Sequence, residues 1–238
     1  MRGFYGNVYY ETPADFSERI KVLETKVNDL EYVPISISTF TVSPNVKPVG
    51  EIVKDVILDW KLNKLPASFV LTAPNGEVLI NGASGMQGSY THSNANLRAA
   101  KRGDLKTYKI VVADKGSATV PATTISKTAG LTFVGTIYYG TTETGEVTKE
   151  MLKSGLSKNQ NNHTGSFTTT PKNEYVYYAC PNDMTAPKFT MGPVEVDFKK
   201  QATITFYTAS ELGWTKDYVY DIYISPEKYK EEITFIAN

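Results

Sequence analysis

Short runs of β-forming residues, each ended by a turn residue, recur along most of this chain. The runs are rich in Val, Ile, Thr, Tyr and Phe, and Gly, Pro, Asn or Asp separates them. The strand candidates are residues 35–42, 52–62, 108–112, 131–139, 174–179, 201–208 and 218–224. Strands at such short intervals are typical of antiparallel sandwiches. The 238 residues are enough for two such domains, so we predict a mainly β protein with two β-sandwich domains.

One segment near the start of the chain has helical periodicity instead. Its apolar residues follow one another at intervals of four, three, four and three, which is the a/d pattern of a coiled coil. These residues are Phe16, Ile20, Leu23, Val27 and Leu30. Thr12 suits the N-cap, Pro13 suits the first helical position, and Asp15 suits the positive end of the helix dipole. We predict a short coiled-coil helix over residues 12–33, ending before Pro34.

The charged residues beside this pattern fit a parallel partner. Arg19 at a g position faces Glu24 at an e position of a neighbouring parallel chain. Lys26 faces Glu31 in the same way, so both pairs carry opposite charges. We predict that these four residues and the five apolar ones form an oligomerisation surface. The residue types at a and d favour a dimer, and the alternative is a lone helix packed on its own sandwich.

The residues ahead of the helix are unusually aromatic. Phe4, Tyr5, Tyr9 and Tyr10 lie within eight positions. A segment this short cannot form a core, so residues 1–11 are predicted to be an arm that anchors in a neighbouring subunit or a larger assembly. The alternative is a disordered terminus.

Composition excludes several classes of function. Twenty-five basic and 25 acidic residues give a formal net charge of zero, which argues against a nucleic-acid partner. One cysteine and two histidines are too few for a disulfide framework or a closed zinc site. No apolar stretch approaches the roughly 18 residues of a membrane span, and no signal core follows Met1. We therefore expect a chain made and folded in soluble form, with no metal, no cofactor and no membrane insertion. A calcium site built from carboxylates is the alternative that composition leaves open.

No catalytic constellation stands out, and we predict no catalytic residue. His92 and His163 lie in polar stretches typical of loops, and neither has a nucleophile partner in a recognisable motif. Cys180 lies in an aromatic strand without a nearby cation and is expected to be buried. Paired glycosidase acids would be distant in sequence, so a small hydrolase remains an alternative.

Several motifs occur in an order that resembles a known family. They are ISTF at 37–40, VGEIVKDV at 49–56, LDWKLNK at 58–64, FVGTIYYG at 133–140, SFT at 166–168, YVYYACP at 175–181 and YVYDIYIS at 218–225. Together they resemble an immunoglobulin-like module, followed by a second β domain, in tail, baseplate and fibre proteins of bacteriophages and prophages.

The resemblance implies a structural protein of the virion, such as a tail fibre, head fibre or baseplate component. It implies an immunoglobulin-like domain at residues 34–128 and a second sandwich, immunoglobulin-like or jelly-roll-like, at residues 129–238. Trp60 is expected to fill the core of the first domain. The resemblance further implies synthesis in the cytoplasm of a bacterial host, other virion proteins as partners, and a homotrimer.

The remaining aromatic residues suggest a contact with the host. Strand alternation sends neighbouring tyrosines to opposite faces, so one member of Tyr177/Tyr178 is expected to be exposed. That tyrosine and Trp214, in a loop-like segment, are the candidate contacts with a host cell-surface glycan or other receptor. The alternatives are a subunit interface for the tyrosines and, for Trp214, a position that plugs the end of its own sandwich. The alternative function is a carbohydrate-binding module of a surface protein.

Overall fold

A computed structural model describes residues 13–99, 101–160, 162–213 and 215–238. The protein is mainly β, with 51% strand and 12% helix, which confirms the predicted class. The helices of the described residues are α1 (Pro13–Leu30), α2 (Lys149–Ser154) and α3 (Ala209–Leu212). The strands are β1 (Ile37–Ser43), β2 (Val46–Pro48), β3 (Val56–Leu62), β4 (Ser68–Thr72), β5 (Val78–Gly82), β6 (Gln87–His92), β7 (Leu105–Ala113), β8 (Thr124–Thr142), β9 (Leu156–Gln160), β10 (Gly165–Thr169), β11 (Glu174–Pro181), β12 (Phe189–Met191), β13 (Val194–Val196), β14 (Lys199–Tyr207), β15 (Tyr218–Tyr229) and β16 (Ile233–Ala237).

Two compact units divide the chain, and each is assembled from separate segments. The described part of the first unit comprises residues 13–41, 58–90 and 108–129. The second unit comprises Val42–Ile57, Thr91–Thr107 and Gly130–Asn238. The expected boundary between residues 128 and 129 falls inside the long strand β8.

The core of the first unit lies between two sets of strands. β3 lies between β1 and β6, while β4 pairs antiparallel with both β5 and β7. Alternate residues of β3 are buried, as the period of a strand requires. The ring of Trp60 on β3 lies 4.9 Å from that of Phe69 on β4, so the two sets share one core. The expected core position of Trp60 is thus confirmed. A Cβ atom at Gly88 would lie only 2.4 Å from this indole, which explains the glycine there.

The second unit places an aromatic core between a large and a small sheet. The large sheet includes the order β14-β15-β11-β8, with β9 also paired to β8, and the small sheet has the order β10-β16-β12-β13. Tyr178 on β11 has its ring 5.2 Å from both Phe167 on β10 and Phe189 on β12. Its hydroxyl donates a 2.7 Å hydrogen bond to the carbonyl oxygen of His163. These edge-to-face contacts hold the two sheets together.

The opposite face of the large sheet is covered as well. Thr148 caps α2 by accepting a hydrogen bond from the Met151 amide at 3.2 Å, and Leu152 of this helix is fully buried. Gly155, just after α2, is so close to Tyr177 that a Cβ atom there would lie 2.4 Å from the tyrosine hydroxyl. The C-cap residue of α2 therefore covers the face of β11 that carries Tyr177.

Burial on both faces of β11 corrects the expectation of an exposed tyrosine there. Tyr177 is 2% exposed and Tyr178 is 0% exposed. Strand alternation does send the two rings to opposite faces, but each face has a cover. The prediction that one of them is exposed, and so available to a receptor, is wrong.

Candidate self-association surface

The predicted N-terminal helix is present as α1. Pro13 occupies its first position, where no backbone N–H is needed, and Asp15 lies in its first turn. After the last helical residue, Leu30, the amide of Glu31 still donates to the Val27 carbonyl at 3.0 Å. The helix thus spans the whole a/d pattern, from Phe16 to Leu30.

All five a/d side chains of α1 are exposed in the single chain. Phe16, Ile20, Leu23 and Val27 are about half exposed, and Leu30 is 86% exposed. None of the residues of α1 is buried. We call these five side chains the seam. Removing apolar surface from water is favourable by about 25 cal/mol for each Å², so a continuous unpartnered seam favours association.

The helix meets its own unit with a different face. Asp29 occupies a c position, and its carboxylate accepts hydrogen bonds from the hydroxyls of Ser117 and Thr119. Asp29 and Thr25, at an f position, are only partly exposed. Positions b, c and f lie opposite a and d on a coiled-coil helix. The helix therefore turns the seam away from the unit that carries it.

Hydrogen bonding favours the charged form of Asp29. The Ser117 hydroxyl, followed by that of Thr119, lowers the pKa of this carboxyl. Both hydroxyls belong to the loop between β7 and β8. The polar face of α1 is therefore held to that loop by an ionised group.

A second carboxylate holds the segment that leaves the helix. Asp114 accepts hydrogen bonds from the Tyr32 hydroxyl at 2.7 Å and from the Ile35 amide at 2.9 Å. Lys64 forms an ion pair with it at 3.0 Å, and the same ammonium lies 4.4 Å from the centroid of the Tyr32 ring. We call these four residues the Asp114 network. It fixes the chain immediately beyond α1.

The ionised state of Asp114 is strongly stabilised. Burial opposes ionisation, but hydrogen bonds from the Thr123 amide, the Tyr32 hydroxyl, Lys64 and the Ile35 amide outweigh that effect. The pKa of Asp114 is therefore held far below its usual range.

The predicted partner charges lie in exposed positions beside the seam. Arg19, Glu24, Lys26 and Glu31 are all exposed. Their pairing across chains stays a prediction, since it requires a second copy.

No protein-family model matches the chain, and no curated protein matches it in sequence. The resemblance to phage tail, baseplate and fibre proteins therefore rests on the sequence motifs alone.

The other predicted site residues have varied positions. The arm residues Phe4, Tyr5, Tyr9 and Tyr10 and the candidate contact Trp214 lie outside the described residues. Cys180 is buried as expected, and burial raises the pKa of its thiol to about 12. His92 ends strand β6 rather than lying in a loop.

The described part of the chain holds neither a metal-binding group nor a membrane-spanning helix. No three His, Cys, Asp or Glu side chains come together there as a metal-binding group. No helix there is long and apolar enough to cross a membrane.

Sequence reasoning missed the residues that hold the helix in place. No sequence pattern gives a role to Asp29 or to its partners Ser117 and Thr119. Their separation of about 90 residues in the chain gives no local signal. The position of Asp29 at c, away from the seam, is the one sequence feature that indicates a contact between the helix and the rest of its unit.

Proposed function

We propose that this chain is a structural protein of a bacteriophage particle that self-associates through α1 as a parallel homotrimer. It would serve as a fibre, tail or baseplate component. The observation that carries self-association is the exposed seam, which faces away from its own unit.

Three features of α1 support a second copy of this chain as the partner of the seam. The a and d positions are apolar throughout, so an identical helix offers a matching surface. The flanking g and e residues are complementary to themselves in a parallel arrangement. The helix is also held to its own unit at Asp29, which leaves the seam free to meet other copies.

The phage assignment is supported by the order of motifs between residues 37 and 225, which resembles virion proteins. That resemblance favours a trimer over the dimer suggested by the a and d residues alone. In this proposal the aromatic arm, residues 1–11, anchors the chain to other virion proteins. The residues from 129 to 238 meet the host surface, with a glycan as the proposed receptor.

Two valines of α1 provide a matched test of self-association. Val27 lies in the seam at an a position and Val22 lies outside it at c, yet both are 49% exposed. Val27→Asp would bury an unpaired charge between chains, whereas Val22→Asp keeps its charge in water. We expect the full chain and the Val22→Asp variant to give the mass of a trimer in light scattering at micromolar concentration, and Val27→Asp to give a monomer.

Two results would contradict the proposal. One is a monomeric wild-type chain with α1 intact by circular dichroism. The other is equal dissociation of both variants, which would mean that added charge alone, and not the seam, decides the outcome.

A test of the anchoring role of the arm requires assembled particles. A chain without residues 1–11 should keep its oligomeric state but fail to join particles assembled in its presence. Incorporation equal to that of the full chain would overturn the anchor assignment. Normal adsorption of particles that lack the protein would overturn the host-contact role.

A further inference from the structure

A groove in the second unit lies where two strands depart from regular pairing. On β15, residues 225–227 stand opposite the single residue Val176 of β11, because Tyr175 pairs with Lys228 and Tyr177 with Ile224. On β14, Gln201 is an extra residue within the pairing to β15. Such bulges re-aim side chains and are common beside binding sites.

The groove has the size and the lining of a small-molecule site. Its volume is about 320 Å³, at the lower end of the range for such sites. Tyr175, Thr144, Gln201 and Lys199 are among the residues that line it, and their side chains carry an aromatic ring, a hydroxyl, an amide and an ammonium group. All four residues belong to one unit of one chain.

Tyr175 is held so that part of its ring borders the groove. The ammonium of Lys228, a residue that does not line the groove, lies 5.3 Å from the ring centroid. Gly145, which does line it, lies against the ring with a φ of +78°, a backbone conformation that favours glycine. A Cβ atom there would contact the ring at 3.5 Å, so glycine keeps this part of the ring clear.

The residues that line the groove favour an uncharged ligand, because Lys199 is their one charged side chain. Lys199 is paired with Asp197 at 3.3 Å, which offsets its positive charge. The remaining groups combine one aromatic ring with neutral hydrogen-bonding groups from Gln201 and Thr144. A pyranose has matching parts, namely a C–H face that packs on an aromatic ring and hydroxyls that pair with an amide or a hydroxyl.

We propose that this groove binds one neutral pyranose ring, packed against Tyr175 and hydrogen-bonded by Gln201 and Thr144. The site rests on the host-contact part of the proposed function, since it assigns residues to the glycan contact. It does not depend on self-association, because one chain supplies every residue.

The test uses the full chain and four probes: the methyl pyranosides of glucose, galactose, mannose and N-acetylglucosamine. Saturation-transfer NMR should show binding of at least one of them. Tyr175→Ala should weaken that binding about two- to tenfold, the range expected for one aromatic contact. Tyr175→Phe keeps the ring and should bind like the wild type.

Two further variants keep the result interpretable. Tyr90→Ala removes a partly exposed tyrosine of the first unit and should leave binding unchanged. Gln201 is exposed, so Gln201→Ala should fold normally. It should weaken binding even if Tyr175→Ala fails to fold.

Either of two outcomes would overturn the inference: no transfer to any of the four probes, or wild-type binding by folded Tyr175→Ala and Gln201→Ala. Light scattering on the same samples separates this inference from the oligomer. A trimer that binds no pyranoside contradicts only the sugar site, and a monomer that binds one contradicts only self-association.

Discussion

The Tyr178 hydroxyl donates a hydrogen bond to a backbone carbonyl inside the second unit. The ring is fully buried, and its hydrogen bond to the His163 carbonyl is 2.7 Å long. Tyr178→Phe keeps the ring and leaves that carbonyl without its donor, so we expect it to lower the free energy of unfolding by about 1 kcal/mol. Urea denaturation measures the change, with Tyr90→Phe on β6 as the control. Unchanged stability combined with lost adsorption to cells would restore a receptor role for Tyr178.

Asp114 makes the first unit sensitive to acid. Its pKa is lower in the folded chain than the usual value near 4. Ionised Asp114 therefore stabilises the fold at pH values above that usual pKa. The contribution is lost as the pH falls towards the folded pKa. Asp114→Asn should therefore lower the melting temperature at pH 7, and its difference from the wild type should shrink at pH 3. Asp59→Asn, at an exposed position of β3, is the control. A difference that does not depend on pH would contradict this account.

At the scale of single elements, the contact at Asp29 sets which face of α1 points outward. Asp29→Ala removes the acceptor for the Ser117 and Thr119 hydroxyls. The C-terminal half of α1 should then separate from its loop more often, so hydrogen exchange of residues 25–32 should become faster. Asn28→Ala, at a neighbouring exposed position, should not change exchange beyond its own amide. Unchanged exchange in Asp29→Ala would mean that the helix is held by other contacts.

Elements with a strong local pattern could be predicted from the sequence. Apolar residues spaced alternately four and three positions apart predict α1 to within a few residues, because such a helix is recognised from its own periodicity alone. The strand predicted at residues 174–179 matches β11, since aromatic and β-branched residues dominate it.

Other elements depend on partners distant in the chain. β9 and β10, with polar residues such as Lys158 and Thr168, lack a strong strand pattern and are stabilised by pairing with β8 and β16. The burial of Tyr177 on β11 also depends on a segment elsewhere in the chain. α2 is only six residues long, and nothing in its sequence shows that Gly155, just after it, lies against Tyr177. The exposure of single tyrosines therefore could not be predicted from strand alternation.

At the scale of the whole molecule, the units are not successive stretches of sequence. Val42–Ile57 and Thr91–Thr107 belong to the second unit, although the first unit surrounds them in the chain. A sequence motif such as VGEIVKDV at 49–56 thus lies between segments of one unit while belonging to the other. Division by motif order alone therefore cannot reproduce this arrangement.

The parallel arrangement of the oligomer has its own test at Leu30. A disulfide requires Cα atoms about 4.4–6.8 Å apart. Parallel helices in register bring the same d position of each chain together, so Leu30→Cys should form a disulfide between chains under mild oxidation. In an antiparallel pair, Leu30 would instead lie beside the other end of the seam. Fourteen residues of helix separate Leu30 from Phe16, a distance of about 21 Å that no disulfide could span.

The same variant distinguishes a trimer from a dimer. Three chains of 26.3 kDa carry three cysteines at this level, so full oxidation should leave one chain in three unlinked on a denaturing gel, whereas a dimer would become fully linked. The wild type is the control, since its one cysteine, Cys180, is buried. Asn28→Cys, at a b position on the outer side, should not cross-link within the assembly. Cross-linking at Asn28 but not at Leu30 would mean that the copies meet through another face of α1, and the seam would then need a different partner.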